Sequence, residues 1–328
     1  MATVYLDQSG LELRPDGDAL ALYRHGERVR CLPLRLVDRL VIHGDVSLGA
    51  GVLTRIGEAG ASALFLGKRN SRRIALLIGR PHEDARIRLA QYGAARDPVL
   101  GPRIAALWAG LKIRRQVRVL LTLRERRPDR CHALTEASLV LQRCRLRLTG
   151  ALASGTGRIR GIEGAAAAAY FRGLAAAFPE SLGFLGRNRR PPRDPVNALL
   201  SLAYTLIHHE SVTIAHGAGL DPWIGFLHAP SYGRESLACD LVETQRPAVD
   251  LWVHDLFRQR RVRSEHFRHD KGACLLGKSG RAIFYEQYEQ FAPARRRQLR
   301  RLARLLVRTL RDGDDWLEDE DGAEDTLS

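Results

Sequence analysis

Along the first 80 residues the apolar positions come in short runs broken by turn residues. TVYL, LELR, ALALYR, RVRCLPL, RLVIHG, ASALFLG and RRIALLIG are separated by stretches such as QSG, PDGD, RHGE and GKRNS. Runs of this length between Gly, Pro, Asn and Asp predict β-strands. One stretch, LGAGVLTRIGEAG (48–60), predicts a helix with Ser47 as its N-cap. After about residue 84 the period changes. Apolar residues recur three and four apart in DARIRLAQYGAARD, in PRIAALWAGLKIRRQVRVLLTLRER and in six later segments, the spacing of helices. Asp194 before Pro195 reads as an N-cap followed by proline at the first helical position. Asp221 would cap a short helix PWIGFLH, and Ser236 would cap SLACDLVETQR. The pattern therefore predicts an α+β chain without internal repeats. A small β-rich amino-terminal domain over 1–84 is followed by a larger all-helical carboxy-terminal domain over 85–311.

Charge narrows the partners. The 328 residues carry a net charge of +15, and the last 17 hold nine acids with no Lys or Arg, which leaves +24 on residues 1–311. A surplus of that size implies a polyanion, since each cation set against a phosphate releases counterions. Ribosomal or membrane-surface binding would produce a similar surplus. The acidic segment 312–328 reads as a self-repelling, disordered tail; the sharper reading makes it a mimic of nucleic acid that covers the basic surface. Five scattered cysteines (Cys31, Cys131, Cys144, Cys239, Cys274) have no metal-type spacing and read as reduced thiols. No apolar run is long enough to span a bilayer, and MATVYLDQSG lacks the apolar stretch of a signal peptide. A cytoplasmic location is expected.

Several motifs are weighed and set aside. GACLLGKS (272–279) matches the phosphate-binding P-loop by letters. That loop belongs between a parallel strand and a helix, whereas ACLL and RAIFY around GKSG read as a β-hairpin with fewer than fifty residues left for a nucleotide fold. In HHESVTIAH the positions of His208, His209 and His216 around Glu210 do not match a zinc hydrolase, so these histidines read as helix surface or interface. GRNRRPPRDP (186–195) gathers Arg187, Arg189, Arg190 and Arg193 in a proline-stiffened loop, read as a phosphate-contacting element.

One constellation is a candidate for chemistry, although an ion-pair face explains the same residues. Asp240 and Glu243, three apart, are neighbours on one helical face, and His228 lies twelve residues before the first of them. Adjacent carboxylates repel unless a cation neutralises them or one stays protonated. Arg234 and Arg246 supply an ion-pair reading. A divalent ion supplies another, since oxygen ligands with one imidazole suit Mg²⁺ or Mn²⁺. Glu163, opening the alanine-rich run of GIEGAAAAAYF, offers a further carboxylate.

Four segments in order, IEGAAAAAYF, RNRRPPRDPVNALLSLAYTL, GLDPWIGFLHAPSYGRESLACDLVE and RPAVD, resemble the CRISPR-associated Cas1 family over about residues 160–251. A looser likeness extends through LRLVDRLVIHGDVSLGAGVL and LKIRRQ. The resemblance implies an amino-terminal β domain that forms a homodimer and a helical domain with a divalent-metal site. Its ligands map to Glu163, His228 and Glu243, with Asp240 the acid that often lies beside the last. Tyr170 and Tyr204 fall at motif tyrosines, in supporting roles. The implied activity is integration and endonucleolytic cleavage of DNA in spacer acquisition: a spacer 3′-hydroxyl attacks a phosphodiester at the CRISPR repeat, with Mg²⁺ or Mn²⁺ as cofactor and the Cas2 protein as partner. The arginines Arg187, Arg189, Arg190, Arg193, Arg234 and Arg246 would face nucleic acid. Two rivals remain: a stand-alone nuclease on branched DNA or RNA, and a basic scaffold without chemistry.

Overall fold

The computed structural model describes residues 2–67, 73–79, 82–188 and 191–312. The expected disordered tail, apart from Asp312, lies outside the described residues, as do Arg189 and Arg190. The chain is α+β, with strands in its first 77 residues and mostly helix thereafter. It divides into two compact units, one of Met1–His82 with Gly277–Gln290, the other of Glu83–Leu276 with Phe291–Ser328. The sequence pattern placed a single boundary near residue 84; the return of 277–290 to the first unit carries no periodicity signal of its own.

Among the described residues of the first unit, eight strands form two sheets. One has the order β1 (Ala2–Leu6), β5 (Val37–His43), β7 (Ser62–Leu66), β8 (Arg73–Leu77), with β5 parallel to β1 and β7, and β8 antiparallel to β7. The other runs β4 (Glu27–Pro33), β3 (Ala19–Arg24), β2 (Leu11–Asp16), β6 (Val46–Leu48). The central strand β5 is buried at six of its seven positions, as expected of a parallel strand covered on both faces. Leu13, Leu20, Leu40 and Ile42 pack with Val52 and Ile56 of helix α1 (Ala50–Glu58) into one core. Ser47 is not a cap. It pairs in β6 beside Glu12 of β2, and the helix starts after Gly49, which makes no side-chain cap bond. The ladder with β2 outcompetes the capping role. Residues 277–290 join this unit through Tyr285, which stacks on Tyr5 with ring centroids 4.2 Å apart, and through Arg281, which donates to Asp7 at 2.8 Å.

The second unit is built on helices α2 (Ala85–Arg96), α3 (Leu100–Arg126), α4 (Cys131–Thr149), α5 (Gly155–Ala177), α6 (Pro195–Gly217), α7 (Ser236–Glu243), α8 (Arg246–Arg258) and the carboxy-terminal part of α9 (Lys278–Asp312). The alanine-rich α5 permits close packing against α3 and α4. A Cβ on Gly173 would lie 2.8 Å from Ala137 Cβ and 3.0 Å from Leu120 Cδ2, so the three helices meet at a position only glycine tolerates. Asp194 caps α6 as expected, accepting from Asn197 N at 2.8 Å. Among the described residues no helix is long and apolar enough to cross a membrane.

Three local expectations are corrected. The hairpin consists of β9 (Phe267–Asp270) and β10 (Ala273–Leu276), turning at Lys271–Gly272; RAIFY belongs to α9. GKS thus follows an antiparallel edge strand, which supports no P-loop. Ser236 is the first residue of α7 rather than its cap. PWIGFLH is not helical at all: residues 220–235 form an irregular loop.

Candidate active site

That loop is shaped by one carboxylate. Asp240, fully buried on α7, accepts the backbone N–H of Phe226 (2.7 Å) and Leu227 (3.0 Å) on Oδ2 and of His228 (2.9 Å) on Oδ1. Donors that a helix would direct to its own carbonyls are turned onto the acid instead. Gly225 makes this geometry accessible, because a Cβ there would come within 2.7 Å of the Ser236 backbone carbon and 2.8 Å of Asp240 Oδ2. Gln91 of α2 anchors the start of the loop, donating to Asp221 O (3.0 Å) and Ile224 O (2.7 Å) and accepting from Asp221 N (2.8 Å).

The same carboxylate fixes His228. Its Oδ1 lies 2.7 Å from Nδ1 of the imidazole. Burial pushes the Asp240 carboxyl up, while the His228 ring and the loop amides favour its ionised form. With Nδ1 as donor, Nε2 keeps the lone pair for a ligand or a proton. The ring stays half-buried, with 26% of its side chain exposed. Asp240 is therefore committed to shaping the loop and orienting the ring.

Glu243, one turn further along α7, faces elsewhere. Its Oε1 pairs with Arg246 at 2.8 Å, and its Oε2 lies 2.5 Å from Lys112 Nζ on α3. Lys112 also donates to Glu163 Oε1 on α5, so one buried ammonium bridges carboxylates from two helices. The Lys112–Glu243 approach is close but off the hydrogen-bonding direction, leaving Oε2 without a directed donor. Burial would raise Glu243, but Arg246 and Lys112 overcome it and hold its carboxyl at about 2, with a contribution from His228. Among the described residues no three His, Cys, Asp or Glu side chains are arranged to hold a metal ion. Glu163 and Glu243 come together instead around an ammonium.

A further buried acid joins this pair through Arg246. Asp250 of α8 accepts the hydroxyl of Tyr170 at 2.8 Å on Oδ2 and that of Tyr204 on Oδ1. Burial lifts its carboxyl to about 6 despite the two phenols and Arg246. The Arg246 guanidinium lies 4.3 Å from the Tyr204 ring centroid, linking this acid to Glu243. Lys112, Asp250 and Arg115 were not singled out from sequence, although LKIRRQ and RPAVD contain all three. Arg115 donates to Thr244 O at 2.7 Å, tying α3 to the end of α7, and burial followed by repulsion from Arg295, Arg114 and Arg118 lowers it to about 10. One signal was available for the lysine: in a chain with 52 basic residues only four are Lys.

The arginines expected to face nucleic acid divide. Arg187 turns inward, donating to Asn197 Oδ1 (2.7 Å) and Ser201 Oγ (3.0 Å), and stacks over Tyr204. Arg246 is spent on Glu243, and Arg234 braces the loop through Ala229 O and Ser236 Oγ. Arg193 is exposed. His208 contacts Glu235 Oε2 at 2.8 Å, and His209, expected at a surface or interface, is buried.

A strand-rich amino-terminal unit precedes a helical unit in which two carboxylates converge on one ammonium. The sequence matches the family described as CRISPR associated protein Cas1 over residues 4–290. It is 38% identical over 299 residues to a CRISPR-associated endonuclease Cas1 of Thermodesulfovibrio yellowstonii, covering 90% of this chain and 93% of that one. The fold is similar to a CAS1 protein from Thermotoga maritima (TM-score 0.82, 23% identity, 94% and 97% of the two chains). It is also similar to a casposase bound to integration product (TM-score 0.80, 22% identity, 94% and 91%). The chain belongs to the CRISPR-associated Cas1 family.

Proposed function

We propose that this chain is the integrase and endonuclease of CRISPR adaptation, that it depends on Mg²⁺ or Mn²⁺, and that it joins spacer 3′-hydroxyls to the repeat by transesterification. The observation that carries the reading is the convergence of Glu163 and Glu243, from different helices, on a single cation beside His228. The donor types suit a dication, two carboxylates already sharing a positive charge and an imidazole whose Nδ1 is engaged by Asp240, although with Lys112 between the acids the three are not gathered around one point. Glu163, His228 and Glu243 would hold the ion, and Asp240 would orient the histidine without touching it. When bound, the ion supplies Lewis-acid stabilisation of the charge that grows on the reacting phosphodiester.

The chain's own groups do the remaining work. Glu163 and His228 are the partly exposed members of the site, so DNA approaches from their side while Lys112 and Glu243 stay out of water. In the reaction the 3′-oxygen forms a bond to phosphorus, the bond to the departing 3′-oxygen breaks, and the proton of the attacking hydroxyl moves to the leaving oxygen by way of solvent or a basic group. No covalent protein nucleophile is needed. The strong positive charge outside residues 312–328 and the exposed Arg193 favour binding along the phosphate backbone. The assembly proposed is a homodimer with the Cas2 protein as partner.

Incubating the protein with a labelled spacer-like duplex and a repeat-bearing plasmid separates joining from cutting. Covalent transfer of label into the plasmid supports the integrase. Cleavage of branched DNA or RNA without any joined product would instead assign a stand-alone nuclease.

A further inference from the structure

We propose that Lys112 is the built-in counter-cation of the site: its ammonium holds Glu163 and Glu243 together before a metal arrives, and an incoming dication displaces it. This inference rests on the metal reading above and adds a role for a residue outside the ligand set.

Three observations carry it. Lys112 is buried, and Nζ is in contact with both Glu163 Oε1 and Glu243 Oε2. A single charge shared by two acids on α5 and α7 occupies the gap into which those same acids would place a metal ion. Both acids are engaged at once: Glu163 Oε1 accepts a hydrogen bond from the ammonium, and Glu243 Oε2 lies 2.5 Å from it. Neither contact is a planar, two-pronged pair, which suits a group that swings away on its flexible four-carbon stem.

The choice of residue points the same way. The chain uses arginine almost everywhere and has only Lys68, Lys112, Lys271 and Lys278 as lysines. A guanidinium would bind carboxylates through a rigid, two-pronged fork. An ammonium is a compact point charge that imitates a small cation and leaves without breaking a planar pair. Arg246, paired with Glu243 Oε1 and stacked on Tyr204, stays in place as the permanent partner. Exchange of Lys112 for a dication then leaves the local charge close to balance in both states.

The test measures metal binding rather than turnover. Mn²⁺ affinity of the full-length protein is measured by calorimetry for the wild type, Lys112→Met, Glu163→Gln and Glu243→Gln. If Lys112 competes with the ion, Lys112→Met binds Mn²⁺ about tenfold tighter, equivalent to about 1.4 kcal/mol at 25 °C, while both glutamine variants bind more weakly. Should Lys112→Met not fold, ¹⁵N-lysine labelling of the wild type gives a direct readout, because only four ammonium groups are present. A slowly exchanging, buried ammonium signal should vanish or move as Mg²⁺ is added. Equal or weaker Mn²⁺ binding by Lys112→Met, or an ammonium signal unchanged at saturating Mg²⁺, overturns the displacement role and leaves the metal site standing. Wild type that takes up no Mn²⁺, or glutamine variants that bind as wild type does, overturns the metal reading itself and this inference with it.

Discussion

Asp240 Oδ1 sits 2.7 Å from His228 Nδ1 while the same carboxylate gathers the amides of residues 226–228. The two residues are thus equally necessary to the site but unequal for the fold. Asp240→Asn points an amide N–H₂ at groups that donate. It should lower unfolding free energy by about 2–4 kcal/mol, the cost of leaving buried donors unpaired beside a lost charge. His228→Ala removes a half-buried ring and should cost under about 1 kcal/mol. Both should reduce strand joining by about 100-fold or more. Urea unfolding alongside the joining assay distinguishes a shaping residue from a reacting one.

Gly225 is required by space rather than by φ. Gly225→Ala places a methyl against the Ser236 backbone and Asp240 Oδ2. Overpacking of this kind costs about 1–3 kcal/mol. Thermal unfolding should show the loss, and joining should fall because the backbone that carries His228 shifts.

Asp250 gives the protein a signed pH dependence. Its folded pKa of about 6 lies above the usual aspartate value, so the folded state holds the proton more tightly than the unfolded chain does. Its contribution is present below about pH 4 and is lost as pH rises through 6. The stability of wild type minus that of Asp250→Asn should therefore fall by up to about 3 kcal/mol between pH 4 and 7. Glu243, held at about 2, behaves oppositely. Relative to Glu243→Gln, wild type should lose stability as pH drops from about 4.5 towards 2. Denaturant unfolding of the three proteins across pH 2–7 checks both signs.

The arginines predict two different phenotypes. Arg246→Ala strips Glu243 Oε1 of its partner and removes the stack on Tyr204, which should destabilise by about 3–5 kcal/mol as for a broken buried pair. Arg193→Ala should leave stability within about 0.5 kcal/mol and weaken DNA binding at every sequence, reducing the salt-dependence slope by about 1. Salt titrations of DNA affinity, set beside melting curves, separate the two.

The fold was legible where period alone decides. Seven strand runs and the long helices appear where alternation and 3.6-residue spacing put them, and Asp194–Pro195 marks the start of α6 correctly. Legibility failed where a long-range partner overrides a local signal. Ser47 has the chemistry of a cap but is used by the ladder with β2. PWIGFLH has the composition of a helix, but its amides are captured by Asp240, twelve to fourteen residues downstream. In the site, the acids and the histidine were visible as reactive types in a specific motif. The roles of Lys112 and Asp250 were not, because a buried charge declares itself only through its partners, and these come from α5, α6 and α7.

The central claim is that Glu163 and Glu243 share a cation because the chemistry requires one. The most direct measurement is the single-turnover rate of strand joining against Mn²⁺ concentration, for wild type and for Glu163→Gln and Glu243→Gln. The account predicts a saturable rise in wild type, no reaction in chelator, and a loss of about 1,000-fold or more in each variant, the scale of several kcal/mol in the barrier. Undiminished joining in chelator, or by either glutamine variant, would contradict it.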